Sequence, residues 1–424
     1  MKINNKFLKL SLVFLLANIT LVAQERNLEE LIDIAMKHSV NIQVAKADIE
    51  VKNAGVDYAK SGYLPQVSIQ GSVAQVDNRI DQDSVLGANA NVDQLLYDFG
   101  GTFSNIGAAK SAYDASLKQL DSTTNAVVIS VKKAYYDILK KNQLINVANE
   151  AVKIDTLQLE QAKEYFKAGV RTRIDVTNAQ LKLSNTKLDL LKAQFALESA
   201  NTSLISILGI NLENGFSVKK DDTDISILAK DIIPMQNSAD ELVKLGLKNR
   251  AEIALYKANI ELSQSKVKSA RSEYYPRILL NANYNEKESN SFSLDAREMS
   301  AGIYVKWDIF SGFSSEAKVK ENLANLVKSK EDLRDIELKI TQEIRDAYLE
   351  VKKSEDSTKM QLLSVDLATQ NLSLAQQRYK AGLSDMIELN DAKLGYTQSK
   401  GDLVNTYYSY LLAVANLKYV TGDR

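Results

Sequence analysis

The chain has 424 residues, with 53 Lys plus Arg against 54 Asp plus Glu, 45% hydrophobic residues, three prolines and no cysteine. So even a charge balance excludes nucleic acid as the main partner, because phosphate binding needs a concentrated basic face. The missing cysteines exclude disulfides, thiolate metal centres and a lipid-modified N-terminal cysteine, while so few prolines permit long unbroken helices.

Residues 1–23 read as a secretory signal peptide. Lys2, Lys6 and Lys9 form a basic start, Leu10 to Leu21 is apolar, and Leu21-Val22-Ala23 offers a small residue before Gln24. A membrane anchor needs ~20 apolar residues, and Asn18 and Thr20 interrupt this run. No other segment approaches spanning length as a helix.

From Asn27 to His38, Leu28, Leu31, Ile32 and Ala35 mark one face of a short helix. A second helix follows to about Gly62, where Pro65 stops it by forcing its predecessor out of helical geometry. The period then becomes two. Val67, Ile69, Gly71 and Val73 alternate with polar neighbours in a strand over about 66–76, and a second strand covers about 85–97. The polar run Asp77 to Asp83 between them fits a hairpin connection. A helix over about 102–167 contains no proline and one interior glycine, Gly107; Gly169 breaks it, and a return helix covers about 173–208. Residues 210–237 show no sustained period and read as a linker.

The same order then recurs. Leu31, Lys46, Ala47, Tyr63 and Pro65 reappear 211 positions later as Leu242, Lys257, Ala258, Tyr274 and Pro276, and Lys167-Ala168-Gly169 returns 213 positions later as Lys380-Ala381-Gly382. The chain is a duplication, with a first repeat over 24–209 and a second over 238–424. The second repeat carries strands over about 277–285 and 300–310, a long helix over about 314–380 and a return helix over about 385–420. Its longer hairpin loop, Glu286 to Arg297, accounts for the two-residue change in spacing. Each long helix would measure roughly 100 Å at ~1.5 Å per residue. The first helix after His38, placed end to end with the return helix, approaches that length, so two short helices can lie beside one long one. Thin apolar stripes such as Val127, Val131, Ala134 and Ile138 suit helices wet on both broad sides.

Four strands of ~10 residues match a membrane's thickness, but a spanning sheet must close, and the smallest such barrels have about eight strands. One chain therefore cannot close alone; three copies would supply twelve. The strands alone leave the number of copies open.

On the duplication, the Tyr63-Leu64-Pro65 and Tyr275-Pro276 junctions, the Tyr97-Asp98-Phe99-Gly100 and Phe310-Ser311-Gly312 junctions, and the tips Ala168 to Val176 and Ala381 to Leu389, the chain resembles the outer membrane efflux (TolC-like) family. The resemblance spans Leu28 to Gly422. It implies the fold class, a mostly α membrane protein in which a homotrimeric 12-stranded β-barrel in the outer membrane, four strands per chain, continues into a long periplasmic α-helical barrel, and it implies an exit duct for a tripartite efflux or type I secretion system. The implied partners are a periplasmic adaptor (membrane fusion) protein, an inner-membrane RND or ABC-type pump that selects the cargo, and outer membrane lipid. Neither a cofactor nor a resident metal is expected.

The resemblance places a carboxylate ring at Glu388 and Asp391, three apart on one helical face. The alternative is that both merely solvate a helix start, where acids favour the dipole. Asp175 and Tyr379 match positions that hold the tip closed through polar contacts between neighbouring helices. A basic residue that joins this network in the family is replaced here by Ser384, and Arg171 or Arg173 could take its place. Gly169, Val170, Arg171, Gly382, Leu383 and Ser384 mark the surface that meets an adaptor. Tyr97, Tyr274, Tyr275, Trp307 and Phe310 are candidates for an aromatic girdle at the membrane interface, with simple packing the alternative.

An enzyme is not indicated. There is no nucleophile elbow, phosphate loop or HExxH, and only one histidine, His38. A secreted coiled-coil scaffold would explain the long helices, but not alternating strands at equivalent places in both repeats.

Overall fold

A computed structural model describes residues 24–78, 81–211, 216–219, 223–230, 232–289 and 296–423. The expected signal peptide lies outside the described residues. In chain order the elements are β1 (Gln24–Arg26), α1 (Leu28–His38), α2 (Val40–Ser61), β2 (Gln66–Asn78), β3 (Asp81–Tyr97), α3 (Gly101–Lys167) and α4 (Arg173–Leu208). After these come β4 (Phe216–Val218), α5 (Ile225–Leu228), α6 (Ala239–Asn249), α7 (Ala251–Ser272), β5 (Arg277–Ser289), β6 (Ala296–Lys306), α8 (Ser314–Lys380) and α9 (Met386–Val420).

The two rods, α3 and α8, are each 67 residues long. Beside each lie two shorter helices, α2 and α4 along α3, and α7 and α9 along α8, with α7 also packed on α3. The short helices meet end to end. Gly209, just past α4, has φ +70, and a Cβ built there would come 2.5 Å from the His38 carbonyl oxygen at the α1–α2 corner. Gly422, past α9, repeats this with φ +71 against Asn249 and Arg250. Only glycine combines the left-handed backbone with so close an approach. The starts of α1 and α6 also match, with Asn27 accepting from the Glu30 N–H and Ser238 forming a capping box with Glu241.

Three clusters of buried apolar side chains stand out among the described residues. At the waist, Leu31, Ile42, Val131, Ile138, Leu204 and Leu403 bury one core, and Ile253, Ile340, Ile344 and Tyr410 bury its counterpart in the second repeat. The third core closes the far end of the four long and return helices around Leu159, Ala162, Ala375, Tyr379 and Leu389. The inter-repeat segment is docked as well. Its β4 pairs in parallel with β1, Val218, Ile225 and Ala229 sit in the first waist core, and the Tyr410 hydroxyl donates to the Ile233 carbonyl at 2.8 Å.

The large sheet is antiparallel in the order β2-β3-β5-β6, which leaves β2 and β6 as open edges among the described residues. Its register keeps the two faces chemically distinct. On one face Val67 pairs with Val92, Ile69 with Ala90, Ala90 with Tyr284, and Tyr284 with Met299. The other aligns Gln66 with Asp93, Ser68 with Asn91, Asn91 with Asn283, and Asn283 with Ser300. The apolar face is bare: Ile69 is 82% and Met299 81% exposed. Among the described residues, no helix is long and apolar enough to cross a membrane.

Two expectations are corrected. β6 ends at Lys306, not near residue 310, because Lys306 pairs with Arg277, and Pro276 just before it has no N–H to extend the ladder. Trp307 and Phe310 therefore lie beyond the strand. At the other end, β2, β3, β5 and β6 run into residues assigned to polar loops, where Glu286 and Arg297 face each other and form an ion pair at 2.8 Å.

Candidate functional site

Each rod ends in a Schellman motif. Val170 N–H bonds to the Tyr165 carbonyl and Gly169 N–H to that of Phe166; Leu383 and Gly382 do the same to Arg378 and Tyr379. The glycines adopt φ +71 and +72. This turns Val170 and Leu383 outward, 69% and 71% exposed, so each tip presents an apolar side chain to solvent. Thr172 and Asp385 then cap the return helices, Asp385 accepting from the Ile387 and Glu388 N–H groups at 3.0 Å.

Arg171 joins the two tips. Its guanidinium lies 5.0 Å from the centre of the Tyr379 ring and donates to the Ser384 carbonyl at 3.1 Å. Tyr379 is 2% exposed, and its hydroxyl and the Ser384 hydroxyl are both buried without a hydrogen-bond partner among the described residues. Burial pushes the Tyr379 phenol up, with Arg171 opposing and Asp175 adding to the rise. Asp175 accepts from the Thr172 N–H and hydroxyl at 3.0 and 2.9 Å, so within one chain it caps its own helix and does not bridge to another. Arg171, Tyr379 and Ser384 are thus brought together, and Arg173 is not part of their contacts.

Glu388 and Asp391 differ in environment. Glu388 accepts from the Arg378 Nε at 2.8 Å, an ion pair across the tip, whereas Asp391 is exposed with no ion-pair partner among the described residues. Sequence reasoning missed Arg378 because its spacing of ten from Glu388 becomes a contact only once the chain folds back at Gly382.

Behind the tips lies a polar seam between α3 and α9. Asp155 and Lys393, 1% and 3% exposed, form an ion pair, and the Thr186 hydroxyl of α4 donates to the same carboxylate. Burial pushes the Lys393 ammonium down, to about 8. Nearby, Gln158 donates to Asn390 at 3.2 Å. Further along, Lys400 reaches Glu150 at 2.8 Å and Asp224 at 3.5 Å, and the Tyr396 hydroxyl donates to Glu150 at 2.7 Å. A signal for this seam does exist in the sequence: Met386, Leu389, Lys393, Tyr396, Lys400 and Leu403 follow alternating spacings of three and four, so the two lysines occupy positions that packing helices fill with apolar side chains.

At the opposite end the aromatics form two groups. A register shift between Leu95 and Tyr97 turns Tyr97 to the apolar side, where it pairs with Ile278. Phe99 stacks on Tyr275 at 5.0 Å and lies 4.8 Å from Tyr97, while Phe310 meets Phe313 edge-on at 5.4 Å. The Trp307 indole donates to the Tyr274 carbonyl at 3.2 Å. Phe99 entered the sequence reading only as part of a junction motif and Phe313 not at all, yet they occupy equivalent turns of consecutive positive φ, Phe99-Gly100 and Gly312-Phe313, with the residue order reversed.

Comparison with known proteins follows the same geometry. The sequence matches the family described as "Outer membrane efflux protein" over residues 31–210 and 242–423, which are the two repeats. Outer membrane protein TolC of Vibrio cholerae is 20% identical over 98% of this chain and 95% of its own length. The alkaline protease secretion protein AprF of Pseudomonas aeruginosa is 21% identical over 81% of this chain and 70% of its own. Among solved structures CusC, described in terms of transmembrane channel formation, superposes with a TM-score of 0.81 at 16% identity, covering 94% of this chain and 93% of that one. The match extends across both repeats, with their sheet, rods and tips, and the chain belongs to the outer membrane efflux protein family.

Proposed function

We propose that three copies of the chain form an exit duct, with a 12-stranded barrel in the outer membrane continuing into a helical tunnel across the periplasm. The observation that carries this reading is the four-stranded sheet. Its apolar face is uncovered, both edges are open, and its strands run directly into 67-residue rods. In lipid an open edge leaves backbone groups unsatisfied, so the strands of other copies must complete it. A coiled-coil scaffold has no use for such a sheet.

The tips would meet a periplasmic adaptor through Gly169, Val170 and Arg171 and through Gly382, Leu383 and Ser384, within an efflux or type I secretion assembly driven by an RND or ABC-type pump. Asp175, Tyr379, Glu388 and Asp391 would line the narrow end of the tunnel. Since Arg378 offsets Glu388, Asp391 supplies most of the free negative charge there. The aromatic groups around Tyr97, Tyr275, Trp307 and Phe310 sit where strands give way to helices, a position suited to a membrane interface.

Planar-bilayer recording tests the proposal. Purified protein is expected to conduct, with Arg171→Ser raising the open conductance and Asp391→Asn lowering cation preference more than Glu388→Gln. Protein that stays soluble and monomeric without detergent, or never conducts in any of these forms, would overturn it.

A further inference from the structure

We infer that Asp93 is a cation-selecting group fixed inside the barrel, separate from the carboxylates at the tips. The inference rests on the duct reading, because the polar face of the sheet must enclose water for Asp93 to act on anything that passes.

Strand register supports it. On β3 the polar face presents Gly87, Asn89, Asn91 and Asp93; on β5, Asn281, Asn283 and Asn285; on β2, Gln66, Ser68, Gln70 and Ser72. β6 adds Ser300 and Gly302. In the two rows Gln66–Asp93–Asn281–Gly302 and Ser68–Asn91–Asn283–Ser300, Asp93 is the only charged side chain among the described residues; Glu298 stands in the next row opposite Asn285, Lys287 in the one beyond it opposite Gly87, and Arg277 pairs with Lys306 on the other side. Within its own rows Asp93 therefore has only neutral neighbours across the strands.

Asp93 is also held. The Asn281 amide donates to its Oδ1 at 2.8 Å, and the Asn91 amide donates to its Oδ2. Asn281 donates to Asn91 as well, at 2.7 Å, and Asn89 donates to Asn283 at 2.9 Å, so the amides form a linked ladder across β3 and β5. Among the described residues no cation pairs with the carboxylate; its fixed partners are the Asn91 and Asn281 amides. Such a group attracts passing cations and repels anions through water, and it sits in a wall that does not move to meet them.

The test exploits the lack of native cysteine. In Ser68→Cys the introduced thiol is the sole one, on the same face, opposite Asn91 and diagonal to Asp93, roughly 7–8 Å away. Methanethiosulfonate reagents of opposite charge, a trimethylammonium and a sulfonate, are added from the outer side; the thiolate attacks the sulfenyl sulfur, a disulfide forms and methanesulfinate leaves. The ratio of cationic to anionic rates should fall on the order of five- to tenfold when Asp93→Asn is added. It should persist in Asp93→Glu, and shrink towards unity near 1 M salt, where the screening length is about 3 Å. A ratio indifferent to Asp93→Asn, or one that instead follows Asp391→Asn, overturns the inference while leaving the duct intact. Assembled protein in which neither reagent reaches Cys at position 68 would overturn both.

Discussion

Removing one member of the buried Asp155–Lys393 pair should loosen the closed end of the helices, and to a degree that depends on which member goes. Both groups are at most 3% exposed, so either single truncation strands a charge away from water, a change that costs roughly 3–5 kcal/mol. Lys393→Met leaves Asp155 with the Thr186 hydroxyl still donating to it, which places that variant near the lower end, about 3 kcal/mol. Asp155→Leu leaves the Lys393 ammonium with no acceptor among the described residues, which places it nearer 5 kcal/mol. In the double variant an apolar pair of similar volume replaces an ion pair, and much of the loss should return. Hydrogen exchange in the amides of α9 between Met386 and Lys400 reads this locally: about 3 kcal/mol corresponds to roughly a hundredfold faster opening, at 1.4 kcal/mol per tenfold. The reasoning fails if both single variants exchange within threefold of the native protein, or if the double variant is as labile as the worse single.

Gly382→Ala should destabilise the tip by about 1–2 kcal/mol through backbone strain alone, since its φ is +72 and nothing lies within 4 Å of the added Cβ; Gly382→Asn should lose less, and the rate of proteolysis at the tip separates the two. Arg250→Lys should lower stability nearly as much as Arg250→Ala, because the guanidinium serves Glu252 and Glu343 at once from a 7% exposed position; thermal melting of the two variants checks this. Acid should weaken the waist. For Glu252 burial raises the pKa but Arg250 outweighs it, and for Asp224 burial is likewise outweighed by the Ser226 N–H and Lys400, so both fold with pKa values below the ordinary carboxylate range. Such groups bind fewer protons folded than unfolded, so their stabilisation is present above the ordinary carboxylate pKa and is lost as pH falls through the depressed values. Melting curves between pH 7 and pH 3 should show a drop that Glu252→Gln reduces.

The elements readable from sequence were those set by local chemistry. Alternation names the strands, two well-placed prolines end the helices before them, and glycines at Gly169 and Gly382 end the rods. What escaped depends on partners far along the chain. β6 stops at Lys306 because of Pro276 on the neighbouring strand, and the segment around Ile225 orders because the waist core accepts it. The Arg171 contact with Ser384 joins residues 213 apart in sequence, and the Asp155–Lys393 pair joins residues 238 apart. Here the periodic spacing of Lys393 and Lys400 marked where buried charge would fall, but not which acids would answer it.

The end-to-end meeting of short helices at Gly209 and Gly422 has a mechanical meaning. Only α3 and α8 run covalently unbroken from the strands to the tips; the struts beside them are jointed at mid-height. A displacement imposed on a tip therefore travels along the molecule as strain in two continuous beams, while the jointed pair yields at its knee and lets the sheet end keep its shape.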